Sequence, residues 1–322
     1  MTAGDVSEAL PPLAAALRDA RVSVLDHWER REAGGHGADE ELLTYLLLDA
    51  AEPLVRYVDF NRRQEGVVGA DWLWWFVDDD GTCFGLLAQA KKLNGAVGGW
   101  TVDLGYPGGT QRQLTGLLRA SDRLAVPAAY VVYFGRRARR PDVACSDDDA
   151  PDCWRCERSG VAVLPALVAR QIALSALPYH PEELAPDSYK NSVPLEDLGL
   201  PDSAPVRDVN VGAVSAELRD FLLNEQGGAR GVAKRIFRVI SDDRRRSLSH
   251  AAPEARPTDA LDLIFDELPV DTGHFGVSYF EHLLRGLRGR PPAYLTDLLG
   301  GSVPIDPPAE LDGVAGIVIV QM

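Results

Sequence analysis

Two apolar runs, DWLWWFV (71–77) and TCFGLLAQA (82–90), flank Asp78-Asp79-Asp80-Gly81. Runs this rich in aromatic and aliphatic residues read as strands, and an Asp-rich tetrapeptide closed by glycine is turn chemistry. The expectation is an antiparallel hairpin, with Asp71 opposite residues 88–90. Side chains alternate along a strand, so Gln89 and Lys91 share one face while Ala90 and Lys92 take the other. Trp72 and Trp74 share a face and Trp75 takes the opposite one; tryptophans so placed are expected to be core.

The flanking segments extend this hairpin into a sheet. Leu10, Leu13, Leu17, Val24 and Leu25 recur near helical period and predict a helix over 6–33, broken by GGHG (34–37). Asp39 can cap the next helix, Glu40 to about Ala51, which Pro53 ends. LVRYVDF (54–60) is a further strand. A glycine-rich loop (94–110) precedes a helix over roughly 110–123, and AAYVVYF (128–134) is a fourth strand of this core. Helix, three strands, helix, strand predicts an α/β fold with a mixed sheet and a crossover helix. Residues 136–156 read as a polar excursion loop, 161–177 as a strand running into a helix, and the Pro-rich 178–205 as loop. Helices are expected at 213–224, 229–241, 258–267 and 277–287, and VAGIVIVQ (314–321) as a buried strand. This divides the chain into an α/β region, 1–180, and a mainly helical C-terminal region, 181–322. The second region either stands beside the first or packs with it as one unit.

Composition narrows the function classes. The chain has 322 residues, 46% hydrophobic and 25% charged, which is globular usage. It lacks an uninterrupted apolar stretch of membrane-span length, a basic-then-apolar leader and a disulfide framework, so a cytoplasmic protein is expected. Only four lysines beside abundant Ala, Gly, Arg and Asp fit a GC-rich bacterial genome. A net charge of −15 works against generic nucleic-acid binding. Against that, residues 227–250 carry seven Arg/Lys and two Asp.

The far end of the hairpin carries chemistry that a core does not need. Asp71 offers a carboxylate, Gln89 an amide oxygen and Ala90 a carbonyl, an oxygen-donor set suited to Mg²⁺ or Mn²⁺. Lys91 can orient an attacking water and stabilise charge on a phosphoryl group. A further ligand is expected from Glu41, with Glu40 or Glu65 as alternatives. The bland reading makes Asp71 and Lys91 an ordinary surface ion pair.

An acidic helix residue, an Asp at a strand start and a (Asp/Glu/Gln)-x-Lys on the neighbouring strand resemble the PD-(D/E)XK nuclease superfamily. Asp71 matches the first acid and Gln89-Ala90-Lys91 the second half-motif. EELLT (40–44), GADWLWWF (69–76), QAKKL (89–93) and the helix at Gln113-Leu114 look like an uncharacterised bacterial family placed in that superfamily. The resemblance spans roughly 38–135. It implies a restriction-endonuclease-like αβββαβ core and a Mg²⁺-dependent nuclease acting on DNA or RNA, in restriction, repair or defence against foreign DNA. It also implies catalytic roles for Asp71, Gln89, Lys91 and Glu41. Gln113 is expected to face the site, with Tyr106 and Gln111 as weaker candidates. The departure is Gln89, where Asp or Glu is usual. It supports an alternative: an inactive nuclease-like module that senses nucleic acid or a protein partner, or a scaffold subunit in a defence assembly.

Two further features stand apart. Arg230, Lys234 and Arg238 recur at i, i+4 and i+8, a candidate phosphate-contacting stripe on one helix face. Cys145, Cys153 and Cys156 make most of a zinc site, which His180 or Cys83 would have to complete; metal-free thiols are the expectation. The P-loop, GxSxG and HExxH patterns are absent.

Overall fold

The computed structural model describes residues 10–60, 70–96, 99–104, 111–140, 143, 145, 153–175, 181–206, 209, 211–246, 263–269, 278–302 and 308–322. For residues 70, 71, 96, 111, 112 and 181–183 it describes the backbone alone. In chain order the elements begin with helices α1 (Pro12–Ala33) and α2 (Glu40–Ala50). Strands β1 (Val55–Asp59), β2 (Ala70–Val77), β3 (Cys83–Ala96) and β4 (Gly99–Val102) follow, then α3 (Gln111–Leu124) and β5 (Ala128–Tyr133). Next come α4 (Trp154–Arg158), β6 (Val161–Pro165), α5 (Ala166–Ser175), α6 (Pro181–Lys190) and β7 (Val193–Pro194). The chain closes with α7 (Ala216–Leu223), α8 (Gly228–Arg246), α9 (Tyr279–Leu284), β8 (Leu287–Arg288), α10 (Ala293–Leu299) and β9 (Val314–Gln321).

The hairpin forms where its turn chemistry predicts. β2 and β3 pair antiparallel from Val77↔Cys83 to Trp72↔Ala88. Gly81 takes φ +89° in the turn, a conformation glycine adopts without a Cβ penalty. Asp80 Oδ1 accepts the Thr82 N–H at 2.8 Å. Asp78 reaches further: its carboxylate accepts the Ala229 N–H at 3.0 Å, fixing the turn to the start of α8. Burial pushes the Asp78 carboxyl above its ordinary range, opposed by that hydrogen bond.

The fold is α/β, with a mixed nine-stranded sheet in the order β1-β9-β2-β3-β5-β6-β7, β4 and β8 pairing with β3. β5 runs parallel to β3 after the α3 crossover. One feature differs from a simple meander: β9 lies between β1 and β2, antiparallel to the first and parallel to the second. The run 54–60 is therefore not hydrogen-bonded to the 71–77 strand. The reason is that β9, VAGIVIVQ, is buried along all but its last residue and needs a strand on each side.

Other differences are local. The segment read as a glycine-rich loop contains β4, which folds back on an extended β3. The Pro-rich segment read as loop contains α6, with Pro186 inside it, and β7. Within the expected helix 258–267, the described residues 263–267 are not helical, and Leu263 bridges to Arg288. The three tryptophans of β2 are core as expected. Among the described residues, no helix is long and apolar enough to cross a membrane.

Candidate active site

Gln89 and Lys91 leave β3 from positions two apart, so they project from the same face. Both are nearly buried, at 5% and 9% exposed. They line a cleft of about 390 Å³ together with Asp39, Glu40, Glu41 and Trp72. The backbone of Asp71 lies in β2 immediately before Trp72, which pairs with Ala88. Continuing that register sets the Asp71 backbone level with Gln89. Its side chain lies outside what the structure describes, as do all of Glu65 and Tyr106 and the side chain of Gln111.

The acidic side of the cleft is the first turn of α2. Asp39 caps the helix, its Oδ1 accepting the Leu42 N–H at 2.8 Å, so it is used by the backbone. Glu40 and Glu41 follow in that turn. Two contacts seat the turn on the sheet. The Tyr133 hydroxyl donates to Thr44 Oγ1 at 3.0 Å, and Lys92 Nζ donates to the Ala38 carbonyl at 2.5 Å. Lys92 thus fastens the approach to α2 from the opposite face of β3, and neither Tyr133 nor Thr44 was singled out by sequence. The signal for Tyr133 was the alternation of β5, which puts it beside Lys92, and Thr44 closes the EELLT stretch of α2.

Across the cleft, Lys91 Nζ donates to Gln113 Oε1 at 3.1 Å. This brings together two residues that sequence had marked separately. Gln89 is different: its Oε1 is buried and has no hydrogen-bond partner among the described residues. A buried acceptor left in that state costs about 1–3 kcal/mol.

The expected basic stripe is not an open face. Lys234 is fully buried, and its ammonium donates to the carbonyls of Asn224 and Asp202 at 2.5 and 3.3 Å. Arg238 donates to Asp202 Oδ2 at 3.1 Å, and Arg230 donates to Gln226 Oε1 at 3.0 Å with its guanidinium over the Phe221 and Phe265 rings. The physical reason is the packing of α8: Lys234, in the middle of the stripe, turns inward, while Arg230 and Arg238 stay part-exposed and are engaged by Gln226 and Asp202.

A family model described as a family of unknown function, DUF6615, matches residues 21–299. The chain belongs to the DUF6615 family. No curated protein and no solved structure matches it. The DUF6615 match covers every described cleft residue named above and stops before β9.

The DUF6615 chain also carries a second cleft of about 390 Å³, of whose lining sequence reasoning had singled out only Arg238. Arg155, Lys190, Arg235, Arg238 and Arg246 line it together with Asp197 and Asp242, and Trp154 stands at its rim, 65% exposed. These residues come from α4, α6 and α8, so no local sequence window contains them.

Three of its cysteines converge. The sulfurs of Cys145, Cys153 and Cys156 all lie within 4.8 Å of one another, an arrangement that can bind a metal. Burial raises the Cys156 thiol, but hydrogen bonds from the Tyr189 hydroxyl and the Cys145 N–H outweigh it and hold it at about 7. Cys83 is not part of the group. It opens β3 beside Arg288, and burial pushes its thiol up to about 12. His180 lies outside the described residues.

Proposed function

We propose that the chain is a metal-dependent nuclease that hydrolyses phosphodiester bonds in DNA. The observation that carries this reading is the buried Gln89 Oε1, without a hydrogen-bond partner among the described residues, in one cleft with Lys91 and the acids of α2. A cleft that keeps an acceptor oxygen desolvated beside carboxylates is suited to an oxygen-loving cation. Gln89, Asp71 and Glu41, or Glu40 in its place, are the residues that would hold Mg²⁺ or Mn²⁺. When bound, the ion supplies Lewis acidity toward the phosphoryl oxygens.

The chain's own groups do the rest. Gln113 holds the Lys91 ammonium at the cleft and takes one of its three protons. There Lys91 can donate to the attacking water or to a non-bridging phosphoryl oxygen as negative charge grows. The α2 carboxylates can accept the water's proton. The cations of the second cleft offer contacts for backbone phosphates, which the net charge of −15 otherwise repels. Destruction of foreign DNA in a bacterial defence assembly is the role that best suits such an activity.

Gln89 also favours a second reading. An amide supplies one anionic ligand fewer than a carboxylate would, which suits a module that binds nucleic acid or a protein partner without cutting. The experiment is incubation of the purified chain with linear DNA, supercoiled DNA and RNA in Mg²⁺ or Mn²⁺. Cleavage that Asp71→Ala abolishes supports the nuclease. Absence of cleavage with every nucleic acid, alongside measurable binding, transfers support to the non-cutting module.

A further inference from the structure

We propose that Cys145, Cys153 and Cys156 hold a structural zinc ion that fastens the 136–158 excursion to the body of the fold. The proposal is independent of the nuclease reading, since no group of the first cleft takes part in it.

Geometry is the first support. Zn–S bonds of ~2.3 Å in a tetrahedron put sulfurs roughly 3.8 Å apart. The three sulfurs already sit within 4.8 Å of one another, so small side-chain rotations reach that spacing. The two ends of the C-x-x-C are well placed for it. Cys153 is the N-cap of α4 and Cys156 lies in its first turn, and three residues along a helical turn return to the same side. Cys145 approaches from the preceding loop, its N–H donating to Cys156 Sγ at 3.3 Å.

The surroundings are those of a ligated thiolate cluster. The Tyr189 hydroxyl donates to Cys156 Sγ at 3.2 Å and lies 3.5 Å from Cys145 Sγ. Metal ligands are oriented by outer hydrogen bonds of this kind. Arg140 is fully buried beside it, its guanidinium 4.5 Å from the centre of the Tyr189 ring. It donates to the carbonyls of Gly135 at 3.1 Å, Cys156 at 2.6 Å and Val143. The same arginine therefore joins the strand end, the loop that carries Cys145 and the helix that carries Cys156. Its charge also offsets that of a zinc trithiolate, which is net negative. A buried arginine whose hydrogen-bond partners among the described residues are all backbone carbonyls is otherwise costly.

The excursion needs such a fastening. α4 has only five residues, too few to be stable alone, and its Trp154 faces solvent. Three sulfurs leave one tetrahedral position, which a water fills. Zinc displaces the thiol protons to solvent as it binds.

The test uses the full chain, purified without chelator. Elemental analysis should find about one zinc per chain, as a single tetrahedral site requires. Replacing the metal with Co²⁺ should give the sulfur-to-cobalt charge-transfer absorption of a multi-thiolate site. Both signals should be lost in Cys145→Ser/Cys153→Ser. Because that variant can fail to fold, the wild-type cobalt spectrum stands as a separate readout. A wild-type chain that takes up neither metal overturns the proposal, and so does a Cys145–Cys156 disulfide found in the non-reduced peptide map. Full metal content retained in the double variant overturns it as well.

Discussion

Lys91 and Lys92 are neighbours in sequence and do different work. Lys91 is held at the cleft by Gln113, whereas Lys92 crosses to the other face and fastens the approach to α2. If the cleft cleaves phosphodiesters, Lys91→Ala should lower turnover by about 10²-fold with DNA affinity nearly unchanged, because the ammonium acts on charge that develops in the transition state. Single-turnover kinetics with a parallel binding isotherm separates the two. Lys92→Ala should instead cost about 1.5–3 kcal/mol of stability, the worth of one hydrogen bond to a charged group, read from a denaturant melt. Gln89→Glu should keep or raise cleavage by restoring an anionic ligand; loss of cleavage in that variant counts against Gln89 as a ligand. A different residue contributes to acid sensitivity. His282 is fully enclosed, and burial, with Arg285 adding to it, holds its imidazole down at about 3 from an ordinary value of 6.5. The folded state therefore keeps it neutral while the unfolded state takes up a proton. Stability from this group is complete above about pH 6.5 and falls as pH drops toward 3. His282→Asn, which keeps an acceptor for Arg285, should flatten the stability slope between pH 6 and 4 by up to about 1.4 kcal/mol per pH unit. An unchanged slope would show that His282 titrates normally.

At the scale of elements, β9 is positioned by the absence of a side chain. Gly316 pairs with Trp72, and a Cβ there would lie 2.3 Å from a carbon of the Trp72 ring and 2.6 Å from the Val58 carbonyl oxygen. Trp72 borders the cleft and meets Tyr45 and Tyr57 edge-on, each at 5.7 Å. Gly85 does the same on the other face, where a Cβ would meet Trp75 at 2.8 Å and Val126 at 2.6 Å. Gly316→Ala should destabilise by about 1–3 kcal/mol, the usual cost of overpacking, and change tryptophan fluorescence because Trp72 must move. A melt within error of wild type would show that β9 can shift to accommodate the methyl. These packing relations explain which parts of the fold were legible in the sequence. The hairpin was, because Asp78–Gly81 is local chemistry and the face of each residue follows from alternation. So was the meeting of Gln89 and Lys91, which needs only period two, and the approach of Gln113, which needs only a crossover helix. The insertion of β9 was not, because strand order is set by pairing between residues some 250 positions apart and leaves no local mark. The inward turn of Lys234 was not either. Period 3.6 shows that three cations share a face, and only packing shows what that face meets.

At the scale of the whole molecule, the net charge is −15, and the second cleft sets five cations against Asp197 and Asp242. Arg155→Ala/Lys190→Ala/Arg246→Ala should weaken DNA binding and flatten its salt dependence, by roughly 0.9 in log–log slope for each phosphate that is no longer neutralised. An unchanged slope would remove this cleft from substrate binding. The sheet itself sets a stronger condition on the chain. β7, β8 and β9 all come from beyond residue 180, and they pair with β6, β3, β1 and β2. Cutting at 180 removes the strand between β1 and β2 and leaves the apolar edges of both without a ladder partner. Unpaired buried backbone groups and the exposed faces of Trp72 and Trp74 would each cost more than a marginal domain can supply. The α/β part should therefore not fold by itself. The full chain should melt in one transition that coincides by far-UV circular dichroism and tryptophan fluorescence. The 1–180 fragment should show neither a cooperative melt nor a native near-UV tryptophan signal. A fragment that melts cooperatively with that signal intact would mean the sheet closes without β9, and that the C-terminal region is an addition to a core already complete.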